Sequence, residues 1–201
     1  MNKVVCAHAV SVDGFISGRI PDGQEEFGSG LGDASSLFDW YFSGDTPSTI
    51  FDGFRLSEPS ARVFDDLASR IGAVVAGRAT YEHSGGFGDG SPHPGAPLFV
   101  VSHRRVDDLA GPQTLVTTGV ADAIAAARAA AGTKDVGLMG GRLVTEALEA
   151  NLVDELVLHQ VPLLLGAGRP FFHALPRHVH LHLRQAVAAP GVTHLHYDVI
   201  R

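Results

Sequence analysis

The chain has 201 residues, 45% of them hydrophobic and 18% charged, and its formal net charge is −7 at pH 7. This composition is typical of one globular domain with a sizeable core, and an acidic balance without a basic tract argues against a nucleic-acid partner. No apolar stretch approaches the roughly 20 residues that span a bilayer, and a single cysteine, Cys6, excludes an intrachain disulfide. We therefore expect one domain over residues 1–201, located in the cytoplasm and without a membrane partner.

The first predicted strand is the apolar run Val4–Val12, which ends in the turn signal Asp13-Gly14. No regular pattern persists from there to about Leu56, and so long a loop inside a compact domain is usually functional. The second half of this loop is rich in aromatic side chains: Phe38, Trp40, Tyr41, Phe42, Phe51 and Phe54. Such rings stack on a flat ligand as a lid, seal a dimer interface or form a satellite core, and the sequence leaves these interpretations open.

Strands and helices alternate after this loop. Ser57-Glu58-Pro59 predicts a helix start, with a capping Ser and a Pro in the first turn, and Gly72 predicts the helix end as its C′ residue. Further strands are predicted at 73–76, 98–101, 114–117, 136–139 and 153–161, with helices from about 78, over 120–131 and from about 141. Two alternating strands, Val179–Ala186 and Val192–Ile200, finish the chain. This order predicts an α/β fold with a mostly parallel central sheet, flanking helices and an antiparallel C-terminal hairpin.

Two glycine-bearing segments carry the strongest chemical signal. Val74–Glu82 and Val136–Leu143 are each an apolar run that meets Gly and Arg where a helix begins. A helix amino terminus offers unpaired amides and a partial positive charge, and an Arg fork beside it completes a phosphate site. The residues expected to bind phosphate here are Gly77, Arg78, Thr80, Gly140, Gly141 and Arg142. Two such sites in one small domain favour a dinucleotide, although the G-x-G-x-x-G fingerprint is absent.

A third polar segment, Ser102-His103-Arg104, follows the predicted strand at 98–101. Ligands bind at the carboxyl ends of strands in open α/β sheets. A hydroxyl, an imidazole and a guanidinium at such a strand end would suit the 2′-phosphate that distinguishes NADPH from NADH, whereas the alternative is a solvated, charged turn.

Five motifs, in this order along the chain, resemble the dihydrofolate reductase-like superfamily, and specifically the branch related to the reductase domain of riboflavin biosynthesis, the RibD C-terminal domain. They run nearly end to end: Ser11–Ser17, Gly77–Glu82, Val101–Arg104, Met139–Arg142 and Leu163–Gly168. The resemblance implies a dihydrofolate reductase-like fold, NADPH as hydride donor and a homodimer. It also implies phosphate contacts from Arg78, Thr80, Ser102, His103 and Arg104, with Gly140, Gly141, Arg142 and Leu143 along the pyrophosphate.

The chain departs from that branch at two substrate positions. Riboflavin-pathway reductases typically carry a basic residue after Asp-Gly, where this chain has Phe15, and commonly a Glu before Gly-Gly, where it has Met139. Both changes replace polar substrate contacts by apolar groups, which a site built around buried hydrogen bonds does not easily tolerate. The riboflavin-pathway reaction is therefore disfavoured and stays, with dihydrofolate reduction, an alternative.

Hydride transfer to a polarised C=O or C=N needs a proton source near the reacting atom. Asp13, at the end of the first strand, is the best-placed carboxylate, although an Asx-turn cap before Gly14 explains it equally well. The alternatives in the aromatic loop are Asp39, Asp45 and Asp52. The residues expected to shape the substrate side are Phe15, Trp40 and Phe51.

Five histidines alternate along the last two predicted strands: His178, His180, His182, His194 and His196. Their spacing places them on one sheet face, where a metal site is one interpretation. The intervening Val179, Leu181 and Leu183 predict the core face, so the histidines follow the exposed pattern. The leading hypothesis is an NADPH-dependent reductase acting on a small heterocyclic or carbonyl-containing substrate, and the rivals are a non-catalytic NADPH-binding dimeric module and a metal-dependent protein.

Overall fold

The computed structural model describes residues 2–88, 90–106 and 109–201. In chain order its strands are β1 (Val4–Ser11), β2 (Phe15–Ser17), β3 (Thr46–Pro47), β4 (Arg55–Leu56), β5 (Ile71–Gly77), β6 (Leu98–Val101), β7 (Gln113–Val116), β8 (Asp135–Met139), β9 (Glu155–Val161), β10 (Arg169–Pro170), β11 (His180–Ala189) and β12 (Val192–Ile200). Its α-helices are α1 (Glu58–Ser69), α2 (Arg78–His83), α3 (Val120–Ala131) and α4 (Gly141–Glu149). Short 3-10 segments lie at Ser35–Tyr41 and Gly85–Phe87.

The central sheet has the strand order β11-β12-β9-β1-β8-β5-β6-β7. β1 pairs in parallel with β8 and β9, and β5 pairs in parallel with β8 and β6. β12 is antiparallel to both β9 and β11. The predicted mostly parallel sheet with flanking helices and an antiparallel C-terminal hairpin is therefore confirmed.

Both faces of the sheet are covered, which is why its inner strands are mostly apolar. Val4, Cys6 and Val10 of β1 pack on one face with residues of α3 and α4, whereas Val5 packs on the other face in a cluster that includes Leu67 of α1. This alternation follows the two-residue period of a strand. None of the helices in the described ranges is long and apolar enough to cross a bilayer.

Two glycines, Gly132 and Gly72, were predicted to end helices, and the structure confirms one of them. α3 occupies Val120–Ala131 and ends at Gly132, whose φ of 63° is in the left-handed region. Gly72, predicted to be the C′ residue of α1, instead lies inside β5, so this assignment was wrong. A Cβ on Gly72 would lie 2.7 Å from the Cβ of Lys134, so close packing, and not helix termination, explains the glycine.

The aromatic loop forms a satellite core against one end of the sheet. Trp40 is only 2% exposed and packs in a cluster with Leu37, Leu56, Ala61, Val161 and Val192. Its indole stacks on Tyr41 with ring centroids 4.0 Å apart. Of the interpretations left open by the sequence, the satellite core describes this part of the chain.

A buried histidine pair lies directly beneath Trp40. His194 Nε2 is 3.0 Å from the Oγ of Ser60 in α1, and His194 Nδ1 is 2.8 Å from Nδ1 of His159. Burial, followed by the neighbouring His196, lowers the pKa of His194 to about 4, so the ring is neutral at pH 7. The expectation that His194 and His196 are exposed was wrong because α1 and the aromatic loop cover this end of the sheet face.

The opposite face of the hairpin is more exposed than the sequence predicts. Leu181 and Leu183, predicted to face the core, are 41% and 49% exposed, and only Val179 packs partly against the core. Within the described residues, no group of three or more His, Cys, Asp or Glu side chains is arranged to hold a metal ion. The histidine-based metal interpretation therefore has no support from the described part of the fold.

Glu155 is the centre of an ion cluster at the amino end of β9, and its side chain is 1% exposed. It pairs with Lys3, with Arg70 at 3.0 Å and with Arg184 at 3.1 Å, so that three segments distant in sequence meet at one carboxylate. Burial alone would raise the pKa of Glu155, but hydrogen bonds from these cations outweigh it and lower that pKa to about 2.

We expect Glu155→Gln to lower the free energy of unfolding by about 3 kcal/mol at pH 7, because it removes the charge that compensates the surrounding cations. Urea denaturation measures this, with Glu58→Gln as the control, since the exposed Glu58–Arg62 pair at 3.3 Å is worth at most about 0.5 kcal/mol. The stabilisation by Glu155 is present above its unfolded pKa of 4.5 and is lost as the pH falls towards 2. A difference between wild type and variant that does not shrink on acidification would contradict this account.

Candidate functional site

A cleft of about 580 Å³ lies at the carboxyl ends of β5, β6 and β8. The structure brings together there all ten residues that were expected to bind the cofactor: Gly77, Arg78, Thr80, Ser102, His103, Arg104, Gly140, Gly141, Arg142 and Leu143. They come from three separate strand ends. Parallel pairing of neighbouring strands places these ends at one edge of the sheet, which is where ligands bind in open α/β folds.

The amino terminus of α4 forms the middle of the cleft. Gly140 is the N-cap residue with φ 106°, a conformation that favours glycine. The first helical hydrogen bond runs from the Val144 amide to the Gly140 carbonyl at 3.1 Å. The amides of residues 141–143 precede that bond, so they are the unpaired donors that suit an anion at a helix amino terminus.

The paired glycines are required by the protein itself. A Cβ on Gly140 would lie 2.4 Å from Oγ1 of Thr80, and one on Gly141 would lie 2.4 Å from the carbonyl oxygen of Pro170. By contrast, a Cβ on Gly77 would make an ordinary 3.5 Å contact with the Cβ of Leu143. The backbone of α4 therefore begins in a gap between α2 and β10 that has no room for side chains.

The start of α2, which follows β5 next to β8 in the sheet, contributes side chains to the cleft. Arg78 donates to both carboxylate oxygens of Glu82, each at 2.7 Å, one helical turn away. This pair fixes the guanidinium at the cleft wall, where a phosphate would have to share it with Glu82. Thr80 lies beside Gly140, so its hydroxyl is close to the amino terminus of α4.

The turn after β6 forms the other end of the cleft. The Ser102 hydroxyl donates to the carbonyl oxygen of Arg104 at 2.8 Å and accepts from the Arg104 amide at 3.0 Å. Ser102 is 5% exposed and shapes the turn, whereas His103 and Arg104 are exposed. The Ser102 hydroxyl thus holds the turn on which the His103 imidazole and the Arg104 guanidinium are exposed.

Seven further residues line the cleft that were not among the expected cofactor residues: Ile16, Ala79, Val101, Glu146, Arg169, Pro170 and His173. The Arg169 guanidinium donates from Nε to Oγ of Ser17 at 2.6 Å and from Nη2 to the carbonyl oxygen of Gly30 at 3.0 Å. It forms no ion pair with the described carboxylates, and burial lowers its pKa. The signal in the sequence that could have pointed to Arg169 was the preceding glycine-bearing segment, Gly166-Ala167-Gly168. The structure explains the second glycine: Gly168 has φ 139°, and a Cβ there would lie 2.0 Å from the Ser17 carbonyl oxygen.

Electrostatics favour an anion in this cleft. Four arginines line it, Arg78, Arg104, Arg142 and Arg169, and Glu146 is the one carboxylate among its described lining residues. The chain as a whole carries a net charge of −7, so the cationic lining is a local feature. An acidic protein with an arginine-lined cleft attracts phosphate-bearing ligands to that cleft specifically.

The proposed catalytic carboxylates lie outside the cleft lining. Asp13 accepts hydrogen bonds from the Ser11 hydroxyl at 2.6 Å and from the Gly166 and Leu165 amides at 2.7 and 3.1 Å. The Ser11 bond first, and then the backbone bonds, lower its pKa to about 2. An ionised Asp13 that holds the 165–166 backbone is a poor proton donor. The Asx-turn alternative does not describe it either, because the Phe15 amide donates to Oγ of Ser11 at 2.9 Å. Asp52 is exposed in the turn between β3 and β4.

The expected substrate-side aromatic residues do not line the cleft either. Trp40 is in the satellite core, and Phe51 packs on Phe54 and Phe64 with ring centroids 5.3 Å away in each case. Phe15 is half-buried beside the cleft residue Ile16. Trp40 and Phe51 do not line this cleft because the loop folds onto α1 and the sheet, so their place on the substrate side stays a prediction.

Comparison with known proteins shows the same architecture elsewhere. A family model described as the RibD C-terminal domain matches residues 2–195. The uncharacterized Bacillus subtilis protein YwjB is 24% identical over 134 residues, which cover 67% of this chain and 77% of that protein.

Two solved structures share the fold. A provisionally assigned riboflavin biosynthesis protein from Shewanella sp. PV-4 superposes with a TM-score of 0.68 at 24% identity, covering 99% of both chains. A pyrimidine reductase-like protein from Corynebacterium diphtheriae gives a TM-score of 0.63 at 13% identity, over 100% of this chain and 92% of that one.

We expect Gly141→Ala to lower the free energy of unfolding by about 1–3 kcal/mol, because the added methyl group overlaps the Pro170 carbonyl. Gly77→Ala, in the same cleft, is the matched control and should change stability by less than about 0.5 kcal/mol, since its Cβ has room. Thermal and urea denaturation compare the two variants. Equal stability of both would show that the gap at the start of α4 is not a packing constraint.

Proposed function

The chain belongs to the RibD C-terminal domain family, and from that premise we propose that it is an NADPH-dependent reductase that transfers a hydride to a small heterocyclic or carbonyl-containing substrate. The observation that carries the proposal is the convergence of all ten expected cofactor residues on one arginine-lined cleft. Three independent strand ends supply anion-binding groups there, as a ligand with several phosphates requires.

The strand order suggests which of these residues bind which part of the cofactor. The turn after β6, the start of α2 after β5 and the start of α4 after β8 follow one another across the sheet. In the proposal, His103 and Arg104 bind the 2′-phosphate and the 141–143 amides bind the pyrophosphate. The hydride-donating ring would then lie towards Ile16 and Arg169. Bound NADPH supplies the hydride, and the protein orients it and limits access of water.

The proton for such a reduction must come from a group other than the ionised Asp13. The other titratable groups that line the cleft are His103, Glu146 and His173. Phe15 and Met139 stand where riboflavin-pathway reductases carry polar residues, which disfavours that pathway's step and supports a less polar acceptor. A cytoplasmic location is part of the proposal, because the cell's NADPH is found there.

A second candidate is a non-catalytic NADPH-binding module. The observation that favours it is the state of Asp13, which is fully used as a backbone cap and leaves no carboxylate at the end of β1 to serve as an acid. On this alternative NADPH binds, but no oxidation is seen against a broad panel of carbonyl and pteridine compounds.

We expect the protein to bind NADPH in preference to NADH, and Arg104→Ala to weaken NADPH binding about tenfold while leaving NADH unaffected, because a charge-assisted bond to the 2′-phosphate is lost. Calorimetry measures both affinities. Arg62→Ala, on the exposed surface of α1, is the control that should change neither. Absence of binding of either nucleotide at millimolar concentration would overturn the proposal.

We also propose that the protein is a homodimer formed through the exposed face of the β11–β12 hairpin. Leu181 lies opposite Val199 and Leu183 opposite Tyr197, so these four side chains share one sheet face, on which Val199 and Tyr197 pack partly against the core. The two leucines are 41% and 49% exposed. An apolar sheet face of this kind, on a strand at the sheet edge, is typical of an interaction surface.

We expect light scattering to give about twice the chain mass of 21.1 kDa for wild type and the monomer mass for the Leu181→Lys, Leu183→Lys double variant, because buried lysines would lack partners. Leu164→Lys is the control, since Leu164 is 72% exposed and lies in the loop after β9, outside β11 and β12. A wild-type monomer, or a double variant that stays dimeric, would contradict this interface.

A further inference from the structure

One backbone amide at the start of α4 donates into the sheet. The Gly140 amide donates to Nε2 of His8, at 2.9 Å, across 132 residues of sequence. His8 lies in β1, between β8 and β9, and does not line the cleft. The hydrogen bond therefore links the central strand to the residue from which α4 starts.

This bond requires one tautomer of His8. Nε2 accepts a hydrogen bond only when it carries no proton, so the neutral ring must have its proton on Nδ1. Burial first, and then the Arg169 guanidinium, lower the pKa of His8 to about 4, which keeps the ring neutral at pH 7. The Phe171 ring packs against the imidazole with centroids 5.1 Å apart, which restrains the plane of the acceptor.

The Gly140 peptide needs such an anchor. Glycine is the most flexible residue, and Gly140 adopts φ 106° immediately before a second glycine. The orientation of this peptide decides where α4 starts and hence where the 141–143 amides point. Among the described side chains, His8 is the one that accepts the Gly140 amide proton.

We propose that His8 is a positioning residue for the cofactor: through the Gly140 amide it holds the amino terminus of α4 so that the 141–143 amides converge on a pyrophosphate. The inference rests on the proposed function, since it concerns the same cleft. His8 does not touch the ligand, so its contribution is to affinity for the pyrophosphate part of the cofactor and not to the 2′-phosphate end.

The test compares two variants and two ligands. His8→Phe keeps a ring against Phe171 but removes the acceptor, whereas His8→Gln offers a side-chain oxygen close to the position of Nε2. We expect His8→Phe to weaken NADPH binding by about tenfold, because a buried amide loses its partner, and His8→Gln to recover it to within about threefold of wild type. Both variants should bind adenosine 2′-monophosphate as wild type does, because that ligand lacks the pyrophosphate.

A further measurement needs no variant. Nitrogen NMR of the wild-type protein at pH 7 should show His8 protonated on Nδ1, and an Nε2-protonated or doubly protonated ring would overturn the inference. Unchanged NADPH affinity in His8→Phe, or equal losses for NADPH and adenosine 2′-monophosphate, would also overturn it, the latter indicating general damage. Wild-type protein that binds neither nucleotide would instead overturn the proposed function, and this inference with it.

Discussion

The cleft depends on one constraint, the close packing of the start of α4 against the Thr80 side chain on one side and the Pro170 backbone on the other. α4 begins between Thr80 of α2 and Pro170 of β10, at distances that leave no space for a Cβ on Gly140 or Gly141. Because the segments meet this closely, the helix terminus lies at the strand ends and Arg169 is brought to the same cleft. The glycines are thus explained by packing between protein segments, and any ligand uses a geometry that exists without it.

The charges of the protein are separated between the two ends of the sheet. At the carboxyl end, four arginines line the cleft with Glu146, whereas at the amino end Glu155 and Asp135 are neutralised by Lys3, Arg70 and Arg184. At the amino end, each of the two carboxylates is paired with at least one cation. The cleft leaves Arg104, Arg142 and Arg169 without an ion pair among the described residues, so it retains cationic groups that a ligand can neutralise.

Local signals in the sequence were enough to predict the mostly parallel sheet, most helix bounds and the strand ends at which the ten expected cofactor residues lie, because each of these follows from residues adjacent in the chain. Contacts between distant segments were not accessible in this way. Arg169 reaches the cleft by pairing of β10 with β2, and His8 meets Gly140 only after β1 pairs with β8. For the same reason the sequence could not show that Trp40 is buried in the satellite core or that Asp13 accepts from the Gly166 amide.

The satellite core has a spectroscopic consequence. Trp40 is the one tryptophan of the chain, it is 2% exposed, and its indole N–H has no hydrogen-bond partner among the described residues. Its ring centroid lies 5.0 Å from that of His159 and 5.1 Å from that of His194. Indole emission from this protein therefore reports on the packing of the loop against α1 and on the buried imidazoles, and Trp40 does not line the cleft. A change in the Trp40 emission would therefore indicate a change in the packing of the aromatic loop.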